Sequence, residues 1–413
     1  MKRPLFSVLI CTVGKTDLTK AAIQSVIDQS FQDFEVIVTD TSGTRMISDI
    51  VDSFKDERVH FYEVPELDPS VGFDYAYNKS TGQYVLWYDD DNCLVPWAMQ
   101  NFSEIIEKYH PDIVSGNHVY YFGPGNRHNP KLTNHLVALL PYSFSLKSYN
   151  PKDVLRALYN FKGEAMSVAR WHSAALFASR EVCEKTKARA GCVQIPHLIS
   201  NHSLHPMLFA YAKTAIYDDR PLSVVGKFSS SMTQQWSNVF ASAWRKNILP
   251  YKFTGVTART AGNTISECYL RAQNLLPEQL KEFPLNFERF YGRYLGELRL
   301  IELPFLKHMH YWKEFWRAVE RLPKKPRLKL RIKIIRATIF SLVTHGLRLV
   351  GLFDLIRKTV RGSVVRENPN RRSAALEPYG VTGINECAGK LDVVMQKEFG
   401  INIRQERPAL SVA

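Results

Sequence analysis

Between Phe6 and Tyr88, the hydrophobic and polar positions follow two patterns that alternate along the chain. Short continuous apolar runs predict buried strands, and apolar residues at helical spacing predict the helices between them. Repeated strand, helix, strand units of this kind build a largely parallel sheet with helices on its faces. The predicted strands are Phe6–Thr12, Phe34–Thr39, Val59–Glu63 and the run ending at Tyr88, and the predicted helices are Leu18–Gln29, Ile47–Phe54 and Phe73–Lys79.

Beyond Tyr88 the alternation is less regular. The pattern predicts a helix at Trp97–Tyr109, a strand at Ile113–Tyr121 and short strands at Leu176–Ala178 and Ala215–Tyr217. After about residue 235 it becomes helical, and beyond Asn368 it is polar enough to predict partial disorder. We therefore predict an α/β domain over residues 1–235, a helical basic region over 236–372, and a polar tail, partly ordered at best, over 373–413.

The positive charge of the chain is concentrated near its C-terminus. The formal net charge is +14, and between Lys307 and Arg372 there are 18 Lys and Arg against 4 Asp and Glu. A nearly neutral α/β domain argues against a nucleic-acid enzyme. Segment 324–361 places basic and apolar residues at helical spacing, which favours contact with an anionic membrane surface. The alternative is that its apolar face packs on the α/β domain and leaves only a solvated basic face.

Two further features bear on the compartment. Six cysteines without a C-x-x-C pair predict neither a zinc site nor a disulfide framework, and they favour a reducing, cytoplasmic compartment. The apolar run Leu5–Val13 is short for a signal peptide and has no small-residue cleavage site after it, so we interpret it as the first strand. No apolar run reaches the roughly 20 residues of a membrane-spanning helix, and none is expected.

Three adjacent carboxylates carry the strongest chemical signal. The buried-strand pattern Val85–Tyr88 runs directly into Asp89, Asp90 and Asp91. Open α/β sheets build their sites at the carboxyl ends of strands. Crowded like charges are costly unless a cation or solvent relieves them, so a divalent metal with an anionic ligand is the first hypothesis. The alternative is a solvated acidic turn.

Three segments precede this acidic triplet: Pro4–Thr12, Ala22–Phe31 and Phe34–Asp40. Together with the triplet, they resemble the opening of the family 2 glycosyltransferases with the GT-A fold, in which the triplet would be the D-x-D motif. The resemblance covers about residues 4–225. It implies a Rossmann-like, mostly parallel central sheet with flanking helices, followed here by a helical C-terminal region.

The resemblance also implies an activity. It is the inverting transfer of a sugar from a nucleotide-diphosphate sugar to the hydroxyl of a saccharide or lipid-linked acceptor, with Mg²⁺ or Mn²⁺ as cofactor. Such enzymes assemble cell-surface polysaccharides or glycolipids, which implies peripheral association with the inner face of the cell membrane.

The family pattern assigns a role to each carboxylate of the triplet. It makes Asp91 the direct metal ligand. Asp89 would contact the ribose or a metal-bound water and is the second metal candidate. Asp90 would occupy the variable middle position of the nucleotide-sugar site.

Other positions of the nucleotide-sugar site follow from the same pattern. Asp40 would contact the nucleotide base, although it could instead cap the helix that follows it. Thr12 and Val13 would pack beside the base, although a plain strand-to-helix turn is the alternative. Asn78 matches the Asn of an Ala-Arg-Asn motif, but Tyr77 replaces its Arg. The cation that would help hold the diphosphate is therefore left open.

The catalytic base is the largest departure from the family. Inverting members of the family usually carry a Glu-Asp pair a little before the strand that precedes a Pro-Leu pair. Here the Pro-Leu pair is Pro221–Leu222, and the segment before it contains His202 and His205 but no Glu-Asp pair. A neutral imidazole can accept a hydroxyl proton, so His202 is the first candidate and His205 the second; both could also be ordinary polar residues at a helix start. Trp171 and His172 lie in the segment that the family places against the acceptor, although core packing is a common role for Trp.

Two other functions compete with glycosyl transfer. Val36–Thr44 resembles the D-x-x-G-T motif of haloacid-dehalogenase-type phosphohydrolases, in which Asp40 would be the phosphorylated nucleophile. A catalytically degenerate scaffold or sugar-binding protein is the third hypothesis, because the Glu-Asp pair is missing and Tyr77 replaces the motif arginine.

Overall fold

The chain folds around one mixed sheet of twelve strands in a computed structural model. The structure describes residues 3–65, 68–124, 130–139, 142–161, 171–196, 201–229, 251–258, 260–298, 305–332, 334–335, 371–404 and 410–412. Most paired residues lie in parallel ladders, which confirms the predicted mostly parallel α/β fold.

The strands follow the order β12-β8-β10-β6-β9-β4-β1-β2-β3, with β7 also pairing β6, β11 pairing β7, and β5 pairing β10. Their bounds are β1 Phe6–Thr12, β2 Phe34–Asp40, β3 Val59–Glu63, β4 Tyr84–Asp89, β5 Asn92–Leu94, β6 Ile113–Phe122, β7 His135–Leu139, β8 Leu146–Tyr149, β9 Leu176–Ser179, β10 Ala215–Lys227, β11 Arg371–Ala375 and β12 Ser411–Val412.

Strand β1 lies between its parallel partners β2 and β4, and β3 extends the parallel ladder beyond β2. The strand is apolar along most of its length because both faces of the sheet are covered. Leu9 and Cys11 enter the hydrophobic core on one face, whereas Val8 and Ile10 enter the core on the other. This alternation is the side-chain period of a strand.

Helices fill the connections between the first strands. In the third of them, the Asp68 side chain accepts a hydrogen bond from the Ser70 N–H at 2.9 Å, and Pro69 occupies the first helical position. Both features favour helix initiation. The predicted elements of this half are therefore confirmed, with ends shifted by a few residues. The helices are α1 Thr16–Ile27, α2 Met46–Phe54, α3 Pro69–Lys79, α4 Ala98–Tyr109 and α5 Pro151–Tyr159.

The short strand predicted at Ala215–Tyr217 is the beginning of the longer β10. Its pairing with β6 shifts register between Asp218 and Ser223, around Pro221, which has no N–H for a ladder hydrogen bond. Asp218 forms a 2.7 Å ion pair with Arg220 inside this irregularity. The irregularity allows the strand to continue past the predicted end at Tyr217 as far as Lys227.

The C-terminal half covers both faces of the sheet. Several helices pack on the face that carries Leu9, and aromatic residues such as Tyr269, Phe290 and Phe315 bury themselves among them. The helices of the C-terminal half and of the segments before it are Arg180–Ala190, Leu204–Phe209, Ala261–Leu275, Pro277–Leu280, Phe287–Leu298, Phe305–Glu320, Ile384–Gly389 and Leu391–Phe399.

Of the polar tail predicted over 373–413, the structure describes residues 373–404 and 410–412, which include two helices. Strand β11 pairs with β7, and the last two helices pack in the core on the Val8 face. Cys387 and Met395 are fully buried there. The average polarity of the tail concealed apolar positions at helical spacing, namely Ile384, Cys387, Leu391, Val394 and Met395.

The basic segment is described only in part. Residues 324–332 and 334–335 are helical, whereas 336–361 lie outside the described residues. Within the described part of the chain, no helix is both long and apolar enough to cross a membrane.

Candidate active site

One edge of the sheet gathers most of the residues that the sequence singles out. Strands β1, β2 and β4 are parallel and end there. Because β9 is antiparallel to both β4 and β6, strand β6 and its parallel partner β10 run in the same direction as β4. The ends of all five strands therefore meet at this carboxyl edge, where β9 begins.

The acidic triplet at the end of β4 does not behave as three equivalent charges. Asp90 is buried, accepts a hydrogen bond from Thr12 Oγ1 at 2.9 Å and forms a 2.7 Å ion pair with Lys15 Nζ. Asp89 and Asp91 on either side of it are half-buried. The middle carboxylate is thus neutralised within the protein, and the outer two remain at the edge.

Lys15 stays charged in this setting. The negative charges of Asp90, Asp91 and Asp89 raise the pKa of Lys15 above its ordinary value, although burial acts in the opposite direction. A lysine ammonium at 2.7 Å and a threonine hydroxyl hold Asp90 as a carboxylate against the cost of its burial.

The outer carboxylates fit a divalent metal site that is completed by a ligand. Among the described residues, no three His, Cys, Asp or Glu side chains form a preformed metal cluster. Mg²⁺ is usually bound by one or two carboxylates together with substrate phosphates and waters. Asp91 and Asp89 are such a pair, since Asp90 is already committed to Lys15.

A hydrogen bond from strand β10 holds the backbone of Asp91. The Gly226 N–H donates to the Asp91 carbonyl at 2.8 Å, and a Cβ at position 226 would lie 2.3 Å from that oxygen. Only glycine permits this approach. The end of β10, Lys227, is consequently held beside the triplet.

The ends of β1 and β2 form the neighbouring part of the edge. Thr12 is paired with Asp40, and the Thr12 carbonyl accepts hydrogen bonds from the Thr41 N–H and hydroxyl. Val13 is half-buried in the turn after β1. Asp40 does not cap α2, because both of its carboxylate oxygens accept hydrogen bonds from Ser42. Burial raises the pKa of Asp40, and its contact with a nucleotide base stays a prediction.

Asn78 is not brought to this edge. It is exposed near the end of α3, and its side-chain carbonyl accepts a hydrogen bond from Lys187. The segment that follows α3 contacts the starts of the strands instead, with the Gly82 N–H donating to Ser7 Oγ at 2.7 Å. Tyr77 is buried, donates to Glu184 Oε1 at 2.6 Å and stacks on Trp87. Tyr77 therefore packs in the interior, whereas Asn78 lies at the surface.

Trp171 is also placed in the interior rather than at a sugar-binding surface. Its ring packs edge-on against Tyr149 and Phe209, with centroids 5.5 and 5.0 Å away. The core-packing alternative therefore describes Trp171. Its backbone carbonyl, however, accepts a hydrogen bond from His205 Nε2.

Four histidines lie near one another, and two of them, His118 and His172, are close enough to Lys227 for its charge to lower their pKa. His172 precedes β9 and lies 4.7 Å, between ring centroids, from His118 on β6. His202 and His205 are 6.3 Å apart, and both influence the pKa of His172.

All four imidazoles are neutral near pH 7. Burial lowers the pKa of His118 and His202 to about 3 and that of His205 to about 4. Burial, together with nearby His118 and Lys227, lowers the pKa of His172 well below its usual value.

The two candidate bases differ in orientation. His205 is buried with Nε2–H bonded to the Trp171 carbonyl, so its Nδ1 carries the lone pair, and no described residue bonds to that atom. His202 is half-buried, and His205 and Arg293 add to the lowering of its pKa. His172 accepts a hydrogen bond from the Ala174 N–H through Nδ1, which occupies that lone pair.

Sequence reasoning missed three residues of the site: Lys15, His118 and Lys227. Lys15 follows the end of β1, and a position just beyond a parallel strand was a usable signal. His118 and Lys227 are brought in by β6 and β10 across the sheet, and no local pattern marks them.

Comparisons with known proteins agree with this geometry. Residues 7–169 match the family model described as Glycosyl transferase family 2. An uncharacterized glycosyltransferase of Rickettsia bellii is 30% identical over 87 residues, which are 21% of this chain and 13% of that protein. The GalNAc(5)-diNAcBac-PP-undecaprenol beta-1,3-glucosyltransferase of Campylobacter jejuni is 25% identical over 105 residues, which are 24% of this chain and 34% of that protein. The match thus covers about a third of one of these relatives and a smaller share of the other.

A solved structure shows the same fold. The crystal structure of S. aureus TarS 1-349 in complex with UDP-GlcNAc has a TM-score of 0.51 and 12% sequence identity, and the match covers 79% of this chain and 87% of TarS 1-349. The fold is therefore of the GT-A type.

Proposed function

We propose that this chain, which carries a glycosyl transferase family 2 domain over residues 7–169, is a metal-dependent inverting glycosyltransferase. It would move a sugar from a nucleotide-diphosphate sugar to an acceptor hydroxyl. The observation that carries the proposal is the division of the triplet. Lys15 neutralises the buried Asp90, whereas Asp89 and Asp91 stay half-buried at the carboxyl edge of the sheet.

The chain's residues would divide the work of transfer as follows. Asp91 and Asp89 would hold Mg²⁺ or Mn²⁺, which when bound neutralises the diphosphate and favours its departure. The acceptor oxygen bonds to the anomeric carbon as the bond from that carbon to the diphosphate oxygen breaks, and the electron pair stays on the diphosphate. The acceptor proton passes to a protein base.

We propose His205 as the better oriented base and His202 as the more accessible one. The Trp171 carbonyl fixes the His205 ring, and this hydrogen bond opposes the lowering of the His205 pKa by burial. When one ring nitrogen donates its N–H to a fixed acceptor, the other ring nitrogen keeps a lone pair that can accept a substrate proton.

Replacing His205 by Gln separates orientation from basicity. The Gln amide can still donate to the Trp171 carbonyl but accepts no proton in transfer. General-base catalysis typically contributes 10²–10⁴-fold, so we expect kcat to fall by about 100-fold or more, with little change in donor KM. Steady-state kinetics of His205→Gln and His202→Gln measure this. If His202→Gln alone lowers kcat, His202 is the base.

The relatives suggest which substrates to try first. The TarS structure contains UDP-GlcNAc, and the Campylobacter jejuni relative is named for a glucosyl transfer to an undecaprenol-linked glycan. We therefore propose a UDP-sugar as the first donor and a lipid-linked saccharide as the first acceptor. Assembly of a cell-surface glycan, with peripheral membrane association, is the matching context.

The basic helical residues 324–332 and 334–335 support contact with an anionic membrane. Leu330 and Ile334 are buried on one face, whereas Leu328, Ile332 and Ile335 are 60%, 42% and 57% exposed at spacings of four and three residues. Lysines and arginines flank this apolar stripe. Apolar burial combined with basic charge is typical of helices that bind membrane surfaces.

Membrane contact is tested with Leu328→Ser/Ile335→Ser. We expect the variant to lose most of its sedimentation with phosphatidylglycerol vesicles, because each apolar side chain contributes about 1.5–3 kcal/mol when buried. Val393→Ser, which removes a 43% exposed valine from another helix, is the matched control. Equal sedimentation of both variants with the wild type would exclude the stripe as a membrane contact.

Nucleotide titration tests the proposed activity itself. UDP, GDP and dTDP are titrated into the protein with and without Mn²⁺ by calorimetry. The proposal expects one of them to bind in a Mn²⁺-dependent manner. If none binds, the degenerate scaffold becomes the better description. The phosphohydrolase alternative would use Asp40 as its nucleophile, and trapping with beryllium fluoride at Asp40 separates it from glycosyl transfer.

A further inference from the structure

Two residues beside the triplet have no role in the proposed transfer so far. Lys227 ends β10 next to Gly226, whose N–H binds the Asp91 carbonyl. His118 lies on the neighbouring strand β6 and is only 4% exposed. Tyr120 touches both, with the Lys227 ammonium 5.0 Å from the Tyr120 ring centroid and the His118 ring 4.8 Å from it.

Lys227 is a half-buried cation without a close counter-charge. Within the described part of the chain, no carboxylate lies within 4 Å of its ammonium. The charges of Asp91 and Asp89 nevertheless reach it, since they oppose the lowering of its pKa by burial. The position of the Lys227 ammonium is therefore fixed, and a bound anion could pair with it.

His118 is a buried side chain with unmet hydrogen bonds. Neither of its ring nitrogens has a hydrogen-bond partner among the described residues. A buried polar group left unsatisfied costs about 1–3 kcal/mol, and such groups in native proteins usually mark a bound water, an ion or a functional contact. The imidazole and the ammonium share Tyr120, so one ligand can satisfy both.

We propose that Lys227 and His118 bind the diphosphate of the nucleotide-sugar donor, on the side away from Lys15. This inference rests on the proposed function. The tie between Gly226 and Asp91 places Lys227 beside the proposed metal ligand, where the diphosphate oxygens would lie. Lys227 then supplies the cation that Tyr77 does not, and His118 supplies an N–H to the same phosphate. Both contacts would strengthen as charge develops on the departing diphosphate.

The bond pattern around Lys15 explains why it does not serve this purpose. Its ammonium is committed to Asp90 at 2.7 Å, and its backbone N–H to Thr12 Oγ1 at 3.3 Å. Among the residues that the structure describes, Lys227 contacts only the face of the Tyr120 ring. Of the two lysines placed at the triplet, Lys227 is the one available to a ligand.

The inference is tested by comparing a nucleoside diphosphate with its monophosphate. The probes are whichever of UDP, GDP and dTDP the wild type binds with Mn²⁺, and the corresponding UMP, GMP or dTMP. Lys227→Met removes the charge at similar volume, and Lys227→Arg keeps a cation. Lys213→Met, at an exposed position before β10, is the matched control. His118→Leu removes the buried donor.

We expect Lys227→Met to weaken diphosphate binding about 10- to 100-fold, as for loss of a charged hydrogen bond, and to change monophosphate affinity less than about threefold. Lys227→Arg should recover part of the loss, and His118→Leu should weaken only the diphosphate. Equal losses for both nucleotides, or no loss, overturn the inference while leaving the proposed function intact. Binding of none of the nucleotides to the wild type overturns both.

Discussion

Asp91→Asn is expected to abolish Mn²⁺-dependent nucleotide binding and sugar transfer while leaving the fold intact. Asparagine keeps the shape of the side chain but removes the charge that a divalent cation requires. Changes even in residues that only support metal ligands cost 10- to 100-fold, so loss of a direct ligand should cost roughly 100-fold or more in metal affinity. Calorimetric titration of Mn²⁺ with the nucleotide measures it.

The melting temperature distinguishes this loss from unfolding. The hydrogen bond from the Gly226 N–H to the Asp91 backbone does not use the carboxylate, and removing one of three adjacent negative charges relieves repulsion. The Asp91 charge also attracts Lys15 and Lys227, which offsets this relief, so Asp91→Asn should melt close to the wild type without metal. Asp49→Asn, at an exposed position of α2, is the control for charge alone. Full activity in Asp91→Asn would remove the main support for the proposed site.

Lys15→Met is expected to destabilise the protein most strongly at neutral pH. It leaves the buried Asp90 carboxylate with the hydrogen bond from the Thr12 hydroxyl, at 2.9 Å, but without its counter-charge. Breaking a buried ion pair by removing one partner costs about 3–5 kcal/mol. Urea unfolding at several pH values measures the loss.

The pH dependence of Lys15→Met follows from the Asp90 carboxylate. Burial already raises the folded-state pKa of Asp90 in the wild type, although Lys15 lowers it and Asp91 adds to the increase. Without Lys15 this pKa lies still further above its unfolded value. Stability is then greatest below the unfolded pKa and is lost as pH rises through the folded one. The difference from wild type should thus be smallest near pH 4 and grow toward pH 7.

A double variant checks that the unpaired charge is the cause. Lys15→Met/Asp90→Asn removes both charges, so it should recover much of the lost stability at pH 7. Because Asp90 packs beside the outer carboxylates, both variants should also bind Mn²⁺ more weakly. A Lys15→Met protein as stable as wild type at pH 7 would show that the ion pair does not organise the triplet.

The sequence predicted the first half of the fold well because its signals are local. Continuous apolar runs such as Phe6–Ile10 are buried on both faces, and the period that predicts them is the period that packs them. The burial of residues in the polar tail could not be predicted, because it depends on distant contacts rather than on a local pattern. Its apolar residues are few, and they are buried only because β11 and the last helices meet elements more than 200 residues away.

Residues of the site were predictable only where they lie at, or just after, the end of one predicted strand. Thr12, Asp40 and Asp89 end strands that the sequence predicts, Asp91 follows β4 by two residues, and the ends of these parallel strands meet at one edge. Asn78 was matched by a motif, but its helix turns it toward Lys187 at the surface. No local pattern could bring His118 and Lys227 to the triplet, because their positions depend on the pairing of β6 with β10 across the sheet.

Locating Mn²⁺ in a crystal tests directly whether Asp91 is a metal ligand. Crystals of the full chain grown with Mn²⁺ and the bound nucleoside diphosphate would be measured at the manganese absorption edge. We expect an anomalous peak at bonding distance from an Asp91 carboxylate oxygen and from the diphosphate, with Asp90 still paired to Lys15. A peak elsewhere, or nucleotide bound at the edge without metal at Asp91, would contradict it.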